Sequence, residues 1–166
     1  MVIDLVPIWI AIMALAIFMY VLLDGFDLGV GILYPLAPSE RDRTLMMASV
    51  APIWDGNETW LIMGGAGLLA AFPLAFSILM PALYFPVLFM LLGLICRGVA
   101  FEFRLKATRW RAVWSAAFFG GSFLAALAQG AILGNYIHGF RIADGRFSGT
   151  SWDWVDRKST RLNSSH

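Results

Sequence analysis

The side chains able to do chemistry are few, and they come in groups. Asp24 and Asp27 stand three residues apart, and so do Asp55 and Glu58. That spacing puts both members of a pair on one helix face. Arg97 and Glu102 make a third polar group further along. Each group borders or interrupts a long uncharged stretch. An ionisable group at the centre of a membrane helix costs about 2.5–3.5 kcal/mol on the insertion scale. Such groups face a bundle interior and are paired there. A row of acids can relay protons, because a carboxyl group takes up and releases one and burial favours its neutral form. A structural ion pair is the competing account, with Arg97 and Glu102 neutralising the acids or one another. A third account makes the acids caps at headgroup level. Spacing alone leaves all three open.

The redox inventory is thin. Haem iron needs a His, Met, Cys or Tyr ligand. Of two histidines, one is the last residue of a foreign-looking tail, and His138 reads as an interfacial hydrogen-bonding residue. Eight methionines are scattered through apolar stretches, where core packing explains them. The lone cysteine, Cys96, excludes a disulfide framework and a thiolate metal cluster. The chain alone is therefore expected to bind neither haem nor metal. Gly64-Gly65-Ala66-Gly67 and Gly120-Gly121-Ser122 suit close helix packing. They lack the strand–loop–helix context of a phosphate-binding loop.

What must position these groups follows from composition. The chain has 166 residues, 60% hydrophobic and 14% charged, with a mean hydropathy of +0.74. An ordinary soluble domain is about 45–50% apolar and about 25% charged. Disorder is excluded, since it needs low hydrophobicity and high net charge. A net charge of +1 excludes a nucleic-acid binder working by phosphate neutralisation. An all-α integral membrane protein is the class that remains.

A spanning helix needs about 20 apolar residues at about 1.5 Å each. Leu5–Leu23 supplies helix one and Ala112–Ile137 helix four. The first segment starts with Asp4 and no Lys or Arg, and its apolar stretch is too long for a signal peptide, so it reads as a retained helix. The 38 uncharged residues from Thr59 to Cys96 are too many for one helix. Divided at Pro73, each arm reaches about 26 Å against a hydrocarbon core of about 30 Å. Helix two should then reach back through Glu58 to Asp55, and helix three run on to Arg97 and Glu102. A bundle of four transmembrane helices is expected. The loops after helices one and three hold Arg41, Arg43, Arg97, Arg104, Lys106, Arg109 and Arg111, against Arg141 and Arg146 on the other side once residues 156–166 are set aside. The excess of Lys and Arg assigns those loops to the cytoplasm and the N-terminus to the outside.

Residues 156–166, DRKSTRLNSSH, form an abrupt hydrophilic tail. The string looks like one frame of a sequencing-library adaptor and is set aside as a tag would be. Residues 1–155 are read as the native part, a fragment of a longer chain.

Four strings carry a family resemblance. They are Leu23-Asp24-Gly25-Phe26-Asp27-Leu28-Gly29, Ala51-Pro52-Ile53-Trp54-Asp55-Gly56-Asn57-Glu58-Thr59-Trp60, Arg97-Gly98-Val99-Ala100-Phe101-Glu102-Phe103-Arg104 and Gly134-Asn135. In this order and spacing the chain resembles subunit II of the cytochrome bd-type quinol oxidases, in a form similar to the cyanide-insensitive branch. The resemblance implies a haem-free subunit in the bacterial cell (inner) membrane. It would be packed against a haem-bearing subunit I, in a complex that oxidises quinol and reduces dioxygen to water. It implies a proton path from the cytoplasm through Asp24 and Asp55, with Asp27, Glu58, Arg97 and Glu102 in a surrounding polar network. The isolated fragment is expected to be inactive. The alternative is a fragment of a proton-coupled secondary transporter, with Gly56 beside Asp55 marking a broken helix. A membrane scaffold with no proton role is the third reading.

Overall fold

An apolar run with Pro7 in its first turn begins a 28-residue helix, α1 (Val6–Leu33). The computed structural model describes residues 4–104, 106, 107, 109–143, 145–153 and 155. The tail 156–166 lies outside the described residues. Proline is tolerated at a helix start because the amides there have no intrahelical acceptor. Asp4 supports the start, its Oδ1 accepting from the Val6 amide at 3.0 Å. A single 3-10 turn, Tyr34–Leu36, closes the helix.

The polar stretch that follows is helical, where the sequence suggested a loop. Ser39 caps α2 (Glu40–Val50), its hydroxyl accepting from the Asp42 amide at 3.2 Å. Ser39 followed three residues later by an acid, with no Gly or Pro up to Val50, is a start signal that the charge pattern concealed.

Next come α3 (Trp54–Ala71), α4 (Pro73–Ala82), α5 (Tyr84–Arg104) and α6 (Arg111–His138). The long uncharged run divides at Pro73, as expected, and again at Leu83. Phe72 leaves helical geometry (φ −134°, ψ 62°) because the residue before a proline avoids the α region. The second break has a similar origin. Continuing α4 would drive the ring of Pro86 against the carbonyl of Ala82. Restarting at Tyr84 instead puts Pro86 in a first turn, where no amide is needed. Helix three is therefore two helices.

Among the described residues, three helices are long and apolar enough to cross a membrane: Val6–Leu36 with its terminal turn, Tyr84–Arg104 and Arg111–His138. The fourth expected span, α3, has 18 residues and carries Asp55 and Glu58. Its length is about 27 Å, short of the hydrocarbon core.

In the bundle α5 packs along α6, and α1 packs against both α3 and α6. One apolar cluster joins Tyr34, Met47, Val50, Ala100, Phe101 and Phe118 at the arginine-rich end. A second joins Leu28, Met90, Leu94, Ala125 and Ala128. The outer faces stay apolar, with Phe18, Leu22, Ile95 and Leu127 all exposed. At the opposite end, Phe85 stacks on Trp152 at 4.2 Å between ring centroids. A two-residue hairpin pairs β1 (Ile142–Ala143) with β2 (Arg146–Phe147) through a turn in which Gly145 has φ 72°.

The α5–α6 seam depends on small residues. A Cβ added to Gly121 would lie 2.5 Å from the Gly93 carbonyl oxygen and 2.9 Å from the Arg97 amide nitrogen. Both obstructions are backbone, so the helices themselves would have to part. Gly121→Val should destabilise the bundle by about 1–3 kcal/mol, the usual cost of overpacking. Gly120→Ala should be neutral, since its Cβ would meet nothing within 4 Å. Thermal unfolding in detergent checks both; equal melting temperatures for the two variants would refute the tight seam.

Candidate functional site

Arg97 is fully buried on α5, one turn beyond Leu94 and one before Phe101. A buried guanidinium in an apolar bundle needs acidic partners, and two helices supply them. Arg97 Nη2 donates to Asp24 Oδ1 on α1 and to Glu58 Oε1 on α3, the latter at 2.5 Å. Asp24 is fully buried, while the Glu58 side chain keeps 18% of its surface exposed. One guanidinium thereby ties together three helices.

Asp27, one turn beyond Asp24, is also fully buried. Its Oδ2 accepts from Asn57 Nδ2 at 2.8 Å, a second link between α1 and α3. One turn before Asp24, the Tyr20 hydroxyl accepts from Gln129 Nε2 on α6 at 2.6 Å. Asp24 Oδ2, Asp27 Oδ1 and Arg97 Nε and Nη1 have no hydrogen-bond partner among the described residues.

Asp55 sits apart from this cluster. It lies exposed in the first turn of α3, where the helix dipole favours an acid. No described side chain pairs with it, and it does not reach Asp24. Glu58, one turn further into the bundle on the same face, takes that place. Asp55 and Glu58 line an open cleft of ≈ 400 Å³ between α3 and α5, whose other walls are mostly apolar.

Glu102 does not join the network. It is exposed and pairs with Lys106 at 3.0 Å. Five residues beyond Arg97, it points about 140° away around the helix. Arg104, seven residues on, returns to the Arg97 face and is buried. Its Nε donates to Ser115 Oγ at 2.9 Å and its Nη2 to Glu40 Oε2 at 3.1 Å. Its guanidinium carbon lies 5.3 Å from the centre of the Tyr34 ring. Sequence reasoning counted Arg104 only as a loop charge and passed over Tyr20, Asn57 and Gln129. The seven-residue spacing to Arg97 was the signal available.

His138 is exposed at the far end of α6, away from the cluster. That position does not fit an axial haem ligand enclosed by this bundle. Among the described residues, no three His, Cys, Asp or Glu side chains are grouped to share a metal ion.

Residues 5–162 match the cytochrome bd terminal oxidase subunit II family. The chain belongs to that family. It is 37% identical over 135 residues to cytochrome bd-I ubiquinol oxidase subunit 2 of Escherichia coli K12, covering 80% of this chain and 36% of that protein. It is 34% identical over 137 residues to cytochrome bd ubiquinol oxidase subunit 2 of Bacillus subtilis 168, covering 81% of this chain and 40% of that one. The chain thus spans well under half the length of these subunit II relatives. Asp24, Asp55, Glu58 and Arg97 all lie within the matched span.

Proposed function

We propose that this chain is part of a haem-free membrane subunit of a quinol:dioxygen oxidoreductase. In that role it supports assembly with a haem-bearing subunit I and delivers protons from the cytoplasm. The observation that carries the reading is the cluster of Asp24, Glu58 and Arg97, buried at one end and open at the other through the Asp55 cleft. One guanidinium balances one carboxylate, so the cluster holds more acid than base. The surplus carboxyl is a group that can hold or release a proton. Asp55 at the mouth takes a proton from water, Glu58 passes it inward, and Asp24 receives it. Buried polar atoms with spare hydrogen-bonding capacity suit water-bridged transfer. Asp27, with Asn57, fixes α1 against α3 beside this path.

We read α3 as a fourth span, packed against α1. Its two acids are then at the membrane boundary and inside the bundle. The arginine-rich end is cytoplasmic and the subunit lies in the bacterial cell membrane. Haems and the quinol-oxidising site belong to the partner, which supplies the redox chemistry.

Co-purification tests the reading. Expressed with its partner, the full subunit should co-purify with a haem-bearing chain, and the complex should consume oxygen when given quinol. Purified alone, it should show no Soret band at stoichiometric intensity and no oxygen uptake. A stoichiometric Soret band from the lone subunit would overturn the haem-free assignment, and failure to recover any haem-bearing partner would overturn the assembly role.

A further inference from the structure

A second cavity, of ≈ 460 Å³, lies at the arginine-rich end between the starts of α2 and α6. Glu40, Arg43, Arg109, Arg111, Ala112 and Ser115 line it. It shares no residue with the Asp55 cleft. Its single acid is already committed. Glu40 Oε1 accepts from Arg43 Nη1 at 3.0 Å, and Oε2 accepts from the buried Arg104 at 3.1 Å. Arg109 and Arg111 have no acidic partner among the described residues. The Nε of Arg43 is buried and has no hydrogen-bond partner among them either. Four guanidinium groups therefore meet one carboxylate. The positive end of α6, a 28-residue helix whose first turn has no side-chain cap, adds to the same field.

Exposed apolar side chains stand at the helix ends that frame this basic cavity: Leu33 closes α1, Leu36 closes the 3-10 turn after it, and Trp110 and Val113 begin α6. The Tyr34 and Ser115 hydroxyls, 3.2 Å apart, hold those two helix ends together. An anion bound here would sit among arginines with apolar surface beside it. An amphiphile with a phosphate head and hydrocarbon tails matches both features. A free anion uses only the first.

We propose that this cavity binds the phosphate headgroup of an anionic phospholipid, with the acyl chains over the apolar flank. Arginine suits the task because its planar fork grips phosphate oxygens in pairs. Basic pockets between helix ends at the membrane surface recruit anionic lipid in the same way.

Native mass spectrometry of the detergent-purified complex containing this subunit tests the proposal without reference to turnover. The probes are phosphatidylglycerol, phosphatidylcholine and inorganic phosphate. Wild type should retain phosphatidylglycerol over phosphatidylcholine by roughly tenfold. The double variant Arg109→Gln/Arg111→Gln should lose that preference and retain one anionic lipid fewer. Arg109→Lys/Arg111→Lys, keeping the charge, should hold most of it. Equal retention by wild type and the Gln variant would overturn the proposal. So would displacement of the lipid by equimolar inorganic phosphate, which would make this a free-anion site. If the Gln variant fails to assemble, the wild-type arm still decides. Preference lost in high salt supports a charge-held headgroup, and indifference to headgroup charge refutes it.

Discussion

Arg97→Met should dismantle the subunit rather than slow it. Among the described residues, the guanidinium is the one cation paired with both Asp24 on α1 and Glu58 on α3. Without it, Asp24 is fully buried beside an acid with nothing to balance either. Removing one partner of a buried ion pair costs about 3–5 kcal/mol, a large share of a stability of about 5–15 kcal/mol. The assembled complex should fall in yield, and haem content and oxygen consumption should fall with it in proportion. Activity per haem in whatever survives is the informative quantity. A second variant separates charge from volume. Arg97→Met combined with Asp24→Asn and Glu58→Gln removes all three charges and should recover assembly, since neutral replacements of a buried ionic group are often tolerated. The triple variant should still consume no oxygen at the normal rate. Normal yield and melting temperature for Arg97→Met alone would show that the cluster does not hold α1, α3 and α5 together.

Asp55→Asn should behave in the opposite way. Asp55 is exposed and pairs with no described side chain, so the amide should leave the fold and haem content intact. An amide keeps the size and most of the hydrogen bonding of a carboxyl group but cannot exchange a proton in its place. In the complex, quinol-driven oxygen consumption should fall about tenfold or more, equivalent to about 1.4 kcal/mol in the barrier. Asp55→Glu keeps a titratable group at the mouth of the cleft and should retain more activity than Asp55→Asn. Turnover at the wild-type rate with normal haem content would remove Asp55 from any obligatory path. A joint loss of haem and activity would instead make it structural.

The contrast between these two residues marks what the sequence could and could not convey. Charge placement within long apolar runs singled out Asp24, Asp27, Glu58 and Arg97, because few residue types survive burial without a partner. It did not say which acid meets which base. Asp55 and Glu58 share a helix face, but one turn and a longer side chain decide that Glu58 reaches Arg97. Glu102 was grouped with Arg97 by proximity in sequence, and the helical angle separates them. Arg104 was passed over because it sat in a run of basic residues that looked like solvated loop. Helix boundaries failed where two local signals competed. The cap at Ser39 was hidden among charges, and Pro86 imposed a break that hydropathy alone could not register.

The chain order of the three linked helices has a consequence for how the protein is made. Synthesis delivers α1 first, then α3, and α5 only afterwards. Asp24 and Glu58 are therefore both synthesised before the arginine that binds them. The first of these acids follows the long apolar run of α1, which can carry it. The second rides on α3, which is shorter and less apolar. On the reading of α3 as a fourth span, its lasting insertion is expected to wait on the synthesis of α5, whose Arg97 links it to α1 and which α6 then clasps through Gly93 and Gly121.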